Sequence, residues 1–155
     1  MARHWWGTES EVSPRLRLEV ELMQATFRDT FRLERDRQSL YWLGNIDVNL
    51  RGLHQREHVV KISYPRSYPS HPPEAYIVSP RIVSPKHQFE DGQLCLFNPK
   101  DGTTYGWNPS TSTAVTVCGW AIEWLYAFYT WKATGHWPGK EERMEDDRGW
   151  FGRRR

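Results

Sequence analysis

An α+β domain is the fold this sequence predicts, and three observations carry the prediction. Two stretches place apolar residues at helical spacing, four stretches between them alternate with period two, and the connections among those four are short. Short connections make neighbouring strands antiparallel. The expected order is an N-terminal helix, a four-stranded antiparallel meander, a long irregular loop and a second long helix.

The first helix opens at Ser13-Pro14, an N-cap hydroxyl followed by proline in the first turn. Leu16, Val20, Met23 and Phe27 then form an apolar stripe, with Arg17, Glu21, Gln24 and Arg28 opposite, so the helix is expected from Pro14 to about Asp29. A short strand over Phe31 to Asp36 comes next. Leu40, Trp42, Ile46, Val48 and Leu50 then alternate with Tyr41, Asn45, Asp47 and Asn49, the pattern of a half-buried strand. After a polar turn from Arg51-Gly52 to Glu57, the third strand runs from His58 to Tyr64, and the fourth from Ala75 to Val78. Between these last two, Tyr64 to Pro73 holds four prolines in ten residues, which forbids helix and central strand alike.

From Ser79 to about Ser112 the chain is irregular, with Pro80, Pro85, Gly92, Pro99, Gly102, Gly106 and Pro109. Long structureless segments inside a domain of this size are usually functional. Ser112 or Thr113 caps the second helix, which runs to about Thr134 before Gly135. Its buried stripe is Ala114, Val117, Cys118, Ala121, Leu125 and Phe128; Trp120, Trp124 and Trp131 widen it, so the helix is expected to be covered on several sides. One more short helix is expected near Lys140 to Asp147, within a charged extension over 140–155.

At 155 residues the chain has the length of a single domain, with its core over about 14–139. Aromatic packing should dominate, given 9 Trp, 7 Tyr and 6 Phe. A formal charge of +2 does not suit a nucleic-acid coat, and Lys140 to Arg155, with six basic and five acidic residues, reads as a solvated tail. Cys95 and Cys118 are the two cysteines, too few for a disulfide framework, and no CxxC pair starts a zinc site. His4, His54, His58, His71 and His136 have no ligand spacing with either cysteine, so neither a metal nor a cofactor is expected. No apolar run reaches the ~18 residues of a membrane helix, the stretch around Trp120 to Phe128 being broken by Glu123, and no signal-peptide core is visible. A cytoplasmic protein with neither membrane nor nucleic acid as partner is the expectation.

Cys95 sits in Gly92-Gln93-Leu94-Cys95-Leu96, just after a glycine turn in the long loop. A cysteine there can be partly exposed and act as a nucleophile, while free cysteines are also commonly buried small hydrophobes. On the residues alone both readings stand. Cys118 lies on the apolar stripe of a helix and reads as core.

Taken together, Tyr64-Pro65, Tyr68-Pro69, Pro72-Pro73, then His87, then Gly92-x-Leu94-Cys95-Leu96, then Trp107-x-Pro109 resemble the signature of the ubiquitin-conjugating (UBC) superfamily. The eight-residue spacing from His87 to Cys95 matches, and the resemblance covers about residues 14–139. It implies a UBC-like fold, Cys95 as the catalytic thiol, His87 as a loop-supporting residue more than a general base, and Tyr68, Pro69, Pro72, Pro73, Trp107 and Pro109 as framework. One departure matters. The family's Pro-Asn after the histidine is Gln88-Phe89 here, so the asparagine credited with loop support or oxyanion stabilisation is absent, and one such donor is typically worth about 10²–10³ in rate. Asn98, Tyr105 and Asn108 are the polar residues near enough in sequence to stand in.

The long segment from Leu96 to Gly106, the many tryptophans and the ending Thr134-Gly135-His136-Trp137-Pro138-Gly139-Lys140-Glu141 resemble the bacterial branch, the stand-alone conjugating-like proteins of CBASS anti-phage operons. That resemblance implies a partner with a C-terminal carboxylate, a cGAS/DncV-like nucleotidyltransferase or a ubiquitin-like protein, joined through a thioester to target amines. The carboxyl must arrive activated, because the sequence has no room for an activating domain and no phosphate-cradling GxxxxGK[ST] loop. Loss of the asparagine supports a second reading, a catalytically inactive variant that binds proteins through its surface. A cysteine hydrolase built on Cys95 and His87 is a third, and the sequence suggests no orienting group for it.

Overall fold

The computed structural model of the protein describes residues 4–51, 56–96 and 106–138. Helix α1 (Pro14–Phe27) leads into strands β1 (Phe31–Arg35), β2 (Leu40–Val48), β3 (Arg56–Ser63) and β4 (Glu74–Ser79), and helix α2 (Ala114–Thr134) follows the irregular segment. The strands form one antiparallel sheet in the order β1-β2-β3-β4, the expected meander. The expected turn between Arg51 and Glu57 falls mostly outside the described residues, and the short helix near Lys140 to Asp147 and the charged extension fall wholly outside them.

The Ser13 hydroxyl accepts from the Leu16 amide at 3.1 Å, which starts α1 where the sequence places it. The helix stops at Phe27, two residues short of expectation, because Arg28 turns to φ 55° and its amide closes on the Gln24 carbonyl. Its buried face also differs: Leu16 and Met23 are buried as expected, Val20 and Phe27 are only half-buried, and Glu19 takes the central inward position with 0% exposure.

In β2 the inward series Leu40, Trp42, Gly44, Ile46 and Val48 is buried, and the strand ends at Val48, short of the expected Leu50. Gly44 fits because the Phe31 ring of the paired strand occupies the space a side chain would take. Val60 and Ile62 of β3 and Ala75 and Ile77 of β4 extend the same face.

α2 covers that face with the stripe expected of it, all six residues buried, and Trp124 and Tyr129 are buried beside them. Each fully buried Leu, Ile or Phe contributes about 1.5–3 kcal/mol of transfer free energy. The helix ends at Gly135 in a left-handed turn (φ 77°) whose amide bonds the Trp131 carbonyl. The following Trp137 folds back, 4% exposed, into the same core.

Candidate active site

The proline-rich stretch is held at both ends. Tyr64 closes β3, and Pro72 and Pro73 are buried at the entry to β4. The Tyr68 ring packs against Tyr64 (4.7 Å between centroids), Trp5 (4.7 Å) and Trp107 (5.8 Å). The Trp107 indole donates to the Pro69 carbonyl at 2.9 Å, so one framework residue fastens another 38 positions away. Arg15 of α1 joins the group: its guanidinium donates to the Tyr68 hydroxyl (2.8 Å) and to the carbonyls of Pro109 (3.0 Å) and Ser112 (2.7 Å). Helix, proline loop and the approach to α2 are thereby locked together. Burial, with the nearby Glu19 charge, holds the Tyr68 phenol far above its usual range.

The segment carrying Cys95 is a short hairpin stitched to the sheet edge. Gln88 bridges Leu94, the Phe89 amide donates to the Gln93 carbonyl at 2.8 Å, and the Gly92 amide returns to Phe89 at 2.9 Å, with Gly92 at φ 94° making the reversal. The Leu94 amide donates to the Ala75 carbonyl of β4 at 2.8 Å. The Cys95 amide donates to the His87 carbonyl at 2.9 Å. The eight-residue spacing therefore has a geometric meaning here: His87 and Cys95 stand opposite each other across the hairpin. The same His87 carbonyl accepts the Trp124 indole N–H at 2.8 Å, which ties the cysteine's partner to α2. His87 itself is 4% exposed, at φ 57°, with its ring 4.5 Å from that of Trp137.

Gln88 is the residue that reading the sequence undervalued. Its side-chain oxygen accepts from the Ser84 amide (2.7 Å) and its nitrogen donates to the carbonyls of Ile82 (3.0 Å) and Gly92 (3.2 Å), so one amide braces both arms of the hairpin. A primary amide preceded by histidine in a turn-rich segment was the available signal. Phe89 is 9% exposed and lines a separate cavity with Val83 and Gln88, away from the one that Cys95 lines.

The two thiols differ in setting. Cys118 has 0% exposure and packs its sulfur 3.9 Å from that of Met23; burial, with the Glu19 charge behind it, pushes its pKa far above the usual thiol range. Cys95 is 2% exposed, less open than the partly exposed thiol expected, yet it lines a cavity of about 380 Å³ whose walls include Trp120, Glu123, Trp124, Ala127 and Trp137. The cavity is where the described residues place Cys95 next to open space. Of the residues expected to replace the asparagine, Asn98 and Tyr105 lie outside the described residues. Asn108 is exposed and shapes the turn before α2, its side-chain oxygen accepting from the Ser110 amide at 2.9 Å, and it does not line the cavity. Pro109 is exposed there too.

Glu19 was not anticipated as a site-building residue. Its Oε1 accepts the Tyr64 hydroxyl (2.7 Å) and the Ala114 amide (2.9 Å), and its Oε2 pairs with Arg15 Nε at 3.4 Å. A carboxylate thus sits on the first amide of α2, where the helix dipole is positive. Among the described residues, no group of three or more His, Cys, Asp and Glu side chains is arranged to hold a metal, and no helix is long and apolar enough to cross a membrane.

A helix, a four-stranded meander, a braced loop bearing a cysteine, and a second helix together define an α+β protein whose layout is compatible with that of a ubiquitin-conjugating enzyme. The family described as Type II CBASS E2 protein matches residues 19–145, and the chain belongs to that family. It is therefore a conjugating-enzyme-like component of a bacterial anti-phage system. Comparison with curated proteins finds no match.

Proposed function

We propose that this protein transfers an acyl group through a thioester on Cys95, taking the C-terminal carboxyl of a partner protein and passing it to an amine. The observation that supports the reading is the contrast between the two cysteines: Cys118 is sealed against Met23, whereas Cys95 lines a cavity at a hairpin fixed to both β4 and α2. The donor is a cGAS/DncV-like nucleotidyltransferase or a ubiquitin-like protein, and its carboxyl arrives already activated.

In the first step the Cys95 thiolate attacks the activated carbonyl carbon, a C–S bond forms and the activating group leaves. In the second, an amine nitrogen attacks that carbon, the C–N bond forms, the C–S bond breaks, and the sulfur leaves as thiolate. The protein's contribution is positioning. The cysteine amide is pinned on His87, the His87 carbonyl on Trp124, and the hairpin on Ala75 and Gln88.

Intact-mass spectrometry after incubation with the partner and its activating system tests this. Wild type should gain the partner's mass in a form that dithiothreitol removes, Cys95→Ser should hold it as a dithiothreitol-resistant oxyester, and Cys95→Ala should gain nothing. Unmodified wild type and Ser variant under conditions where the partner is activated would defeat the proposal.

Two observations favour a second reading, a binding module on the same fold: Phe89 stands where the ubiquitin-conjugating signature has asparagine, and Cys95 is only 2% exposed. Iodoacetamide separates the two. A conjugating thiol is alkylated in the folded protein at neutral pH, while a module's thiol reacts only after unfolding.

A further inference from the structure

One face of α2 borders both the main core and the cavity that Cys95 lines. Trp120, Glu123, Trp124 and Ala127 recur at helical spacing along it and line the cavity, with Trp137 of the returning chain. At about 380 Å³ the cavity is near the lower end of those that take small ligands, about 300–1,000 Å³. Three of its walls are indole rings and one is a carboxylate. Aromatic faces attract cations, and a carboxylate beside them sets the sign of what they accept. Glu123 is exposed at the helix surface, and among the described residues no basic side chain forms an ion pair with it. Neighbouring rings on the same helix already hold this chain's own cations: Lys132 Nζ lies 5.6 Å from the Phe128 ring centre and Lys86 Nζ 5.9 Å from that of Trp131.

We propose that this cavity is an acceptor chamber, and that Trp120 and Glu123 select an acceptor amine presented as an alkylammonium group. The inference rests on the thioester reading of Cys95 and adds to it the two residues that choose the nucleophile. A carboxylate at this place disfavours a second anionic chain end and favours a positive side chain. The ammonium is gathered by the indole and Glu123 and loses one proton to water. Its nitrogen then attacks the thioester carbon, the C–N bond forms and the C–S bond breaks. The amine's remaining extra proton neutralises the departing thiolate. The balance is alkylammonium plus thioester giving amide, free thiol and one proton.

The test starts from a protein loaded at Cys95 by exchange with a peptide α-thioester, so that no activating enzyme is needed. Discharge is followed by mass spectrometry with Nα-acetyl-lysinamide, a cation, and with hydroxylamine, a small neutral nucleophile. In Glu123→Gln the ratio of the two rates should fall roughly tenfold, and Trp120→Leu should lower it as well. An unchanged ratio in Glu123→Gln overturns the proposal. Because Glu123 is exposed, its variant keeps the fold even if Trp120→Leu does not. A second measurement needs no thioester: the indole N–H resonances of unloaded protein are titrated with Nα-acetyl-lysinamide and Nα-acetyl-norleucinamide. Shifts of the Trp120 signal with the cation alone, weakened in Glu123→Gln, support the chamber. Equal shifts with both probes, or none, overturn it. If loading itself fails, the thioester reading falls, and this titration still decides whether the cavity selects cations.

Discussion

Glu19 has no exposed surface, and its two oxygens are shared among the Tyr64 hydroxyl, the Ala114 amide and Arg15. The Tyr64 hydroxyl in turn accepts the Trp42 indole at 2.8 Å, so the network around this carboxylate joins α1, α2, β2 and the residue after β3. Burial, with the Glu19 charge and hydrogen bond, raises the Tyr64 phenol far above its usual range and keeps it a donor. Removing one member strands the others in the core. Glu19→Ala should therefore cost about 3 kcal/mol in urea unfolding, and Glu19→Gln clearly less, because an acceptor remains. In a double-mutant cycle with Tyr64→Phe the losses should fall short of additive by at least about 0.5 kcal/mol. A Glu19→Ala protein as stable as wild type would show the network to be energetically idle. His58 gives a pH signature at the same scale. It is 0% exposed, bonded to the Tyr129 hydroxyl at 2.7 Å, and burial, aided by the Arg56 charge, lowers its pKa below 6.5. A histidine that resists protonation when folded stabilises the protein above the unfolded value, and that contribution is lost as pH falls below about 6.5 toward the lowered folded value. Stability measured from pH 7.5 down to 5 should decline, and His58→Gln should flatten the decline over that window.

Elements show where sequence reasoning carries and where it stops. All four strands and both helices lie where period and punctuation put them, because Ser13-Pro14, Thr113 and Gly135 act locally and alternation in β2 reflects one buried face. Gly44 was the silent position in that alternation. Nothing near it in the chain announces that a ring thirteen residues earlier fills its place, since the pairing of Phe31 with Gly44 is fixed by strand register. Gly44→Ala should destabilise by about 1–3 kcal/mol through overpacking, and Phe31→Leu should recover part of that loss in the double variant. Additive losses in thermal unfolding would show that the ring is not what Gly44 accommodates. The site divides in the same way. Cys95, His87, Trp107 and the prolines enter the candidate site through the resemblance their order and spacing carry. Gln88, Glu19 and Arg15 do not, because each works by contacts fixed only when distant segments meet: Arg15 reaches Ser112 across 97 positions and Glu19 reaches Ala114 across 95.

Across the whole molecule, the surroundings of Cys95 come from three separate stretches: the sheet through Ala75, α2 through Trp124, and the chain after α2 through Trp137. Trp137 has a double position. It is 4% exposed, its ring lies 4.5 Å from His87 and 5.5 Å from Trp124, and it also lines the cavity. A residue so placed belongs to the core and to the approach route, and its removal should act on both with opposite sign. Trp137→Ala should cost about 3–5 kcal/mol of stability in urea unfolding. In the folded protein it should also speed alkylation of Cys95 by iodoacetamide, because one wall of the cavity is gone, while Cys118 stays unreactive on the buried face of α2. Trp137→Phe retains a ring, so both effects should be smaller. Site-resolved mass spectrometry at urea concentrations well below the transition separates this from general loosening, which would expose both thiols together. If Cys95 alone accelerates, the cavity is the route by which a reactant reaches the sulfur. If Cys95 and Cys118 accelerate in parallel, Trp137 serves the core only, and the route to Cys95 lies elsewhere.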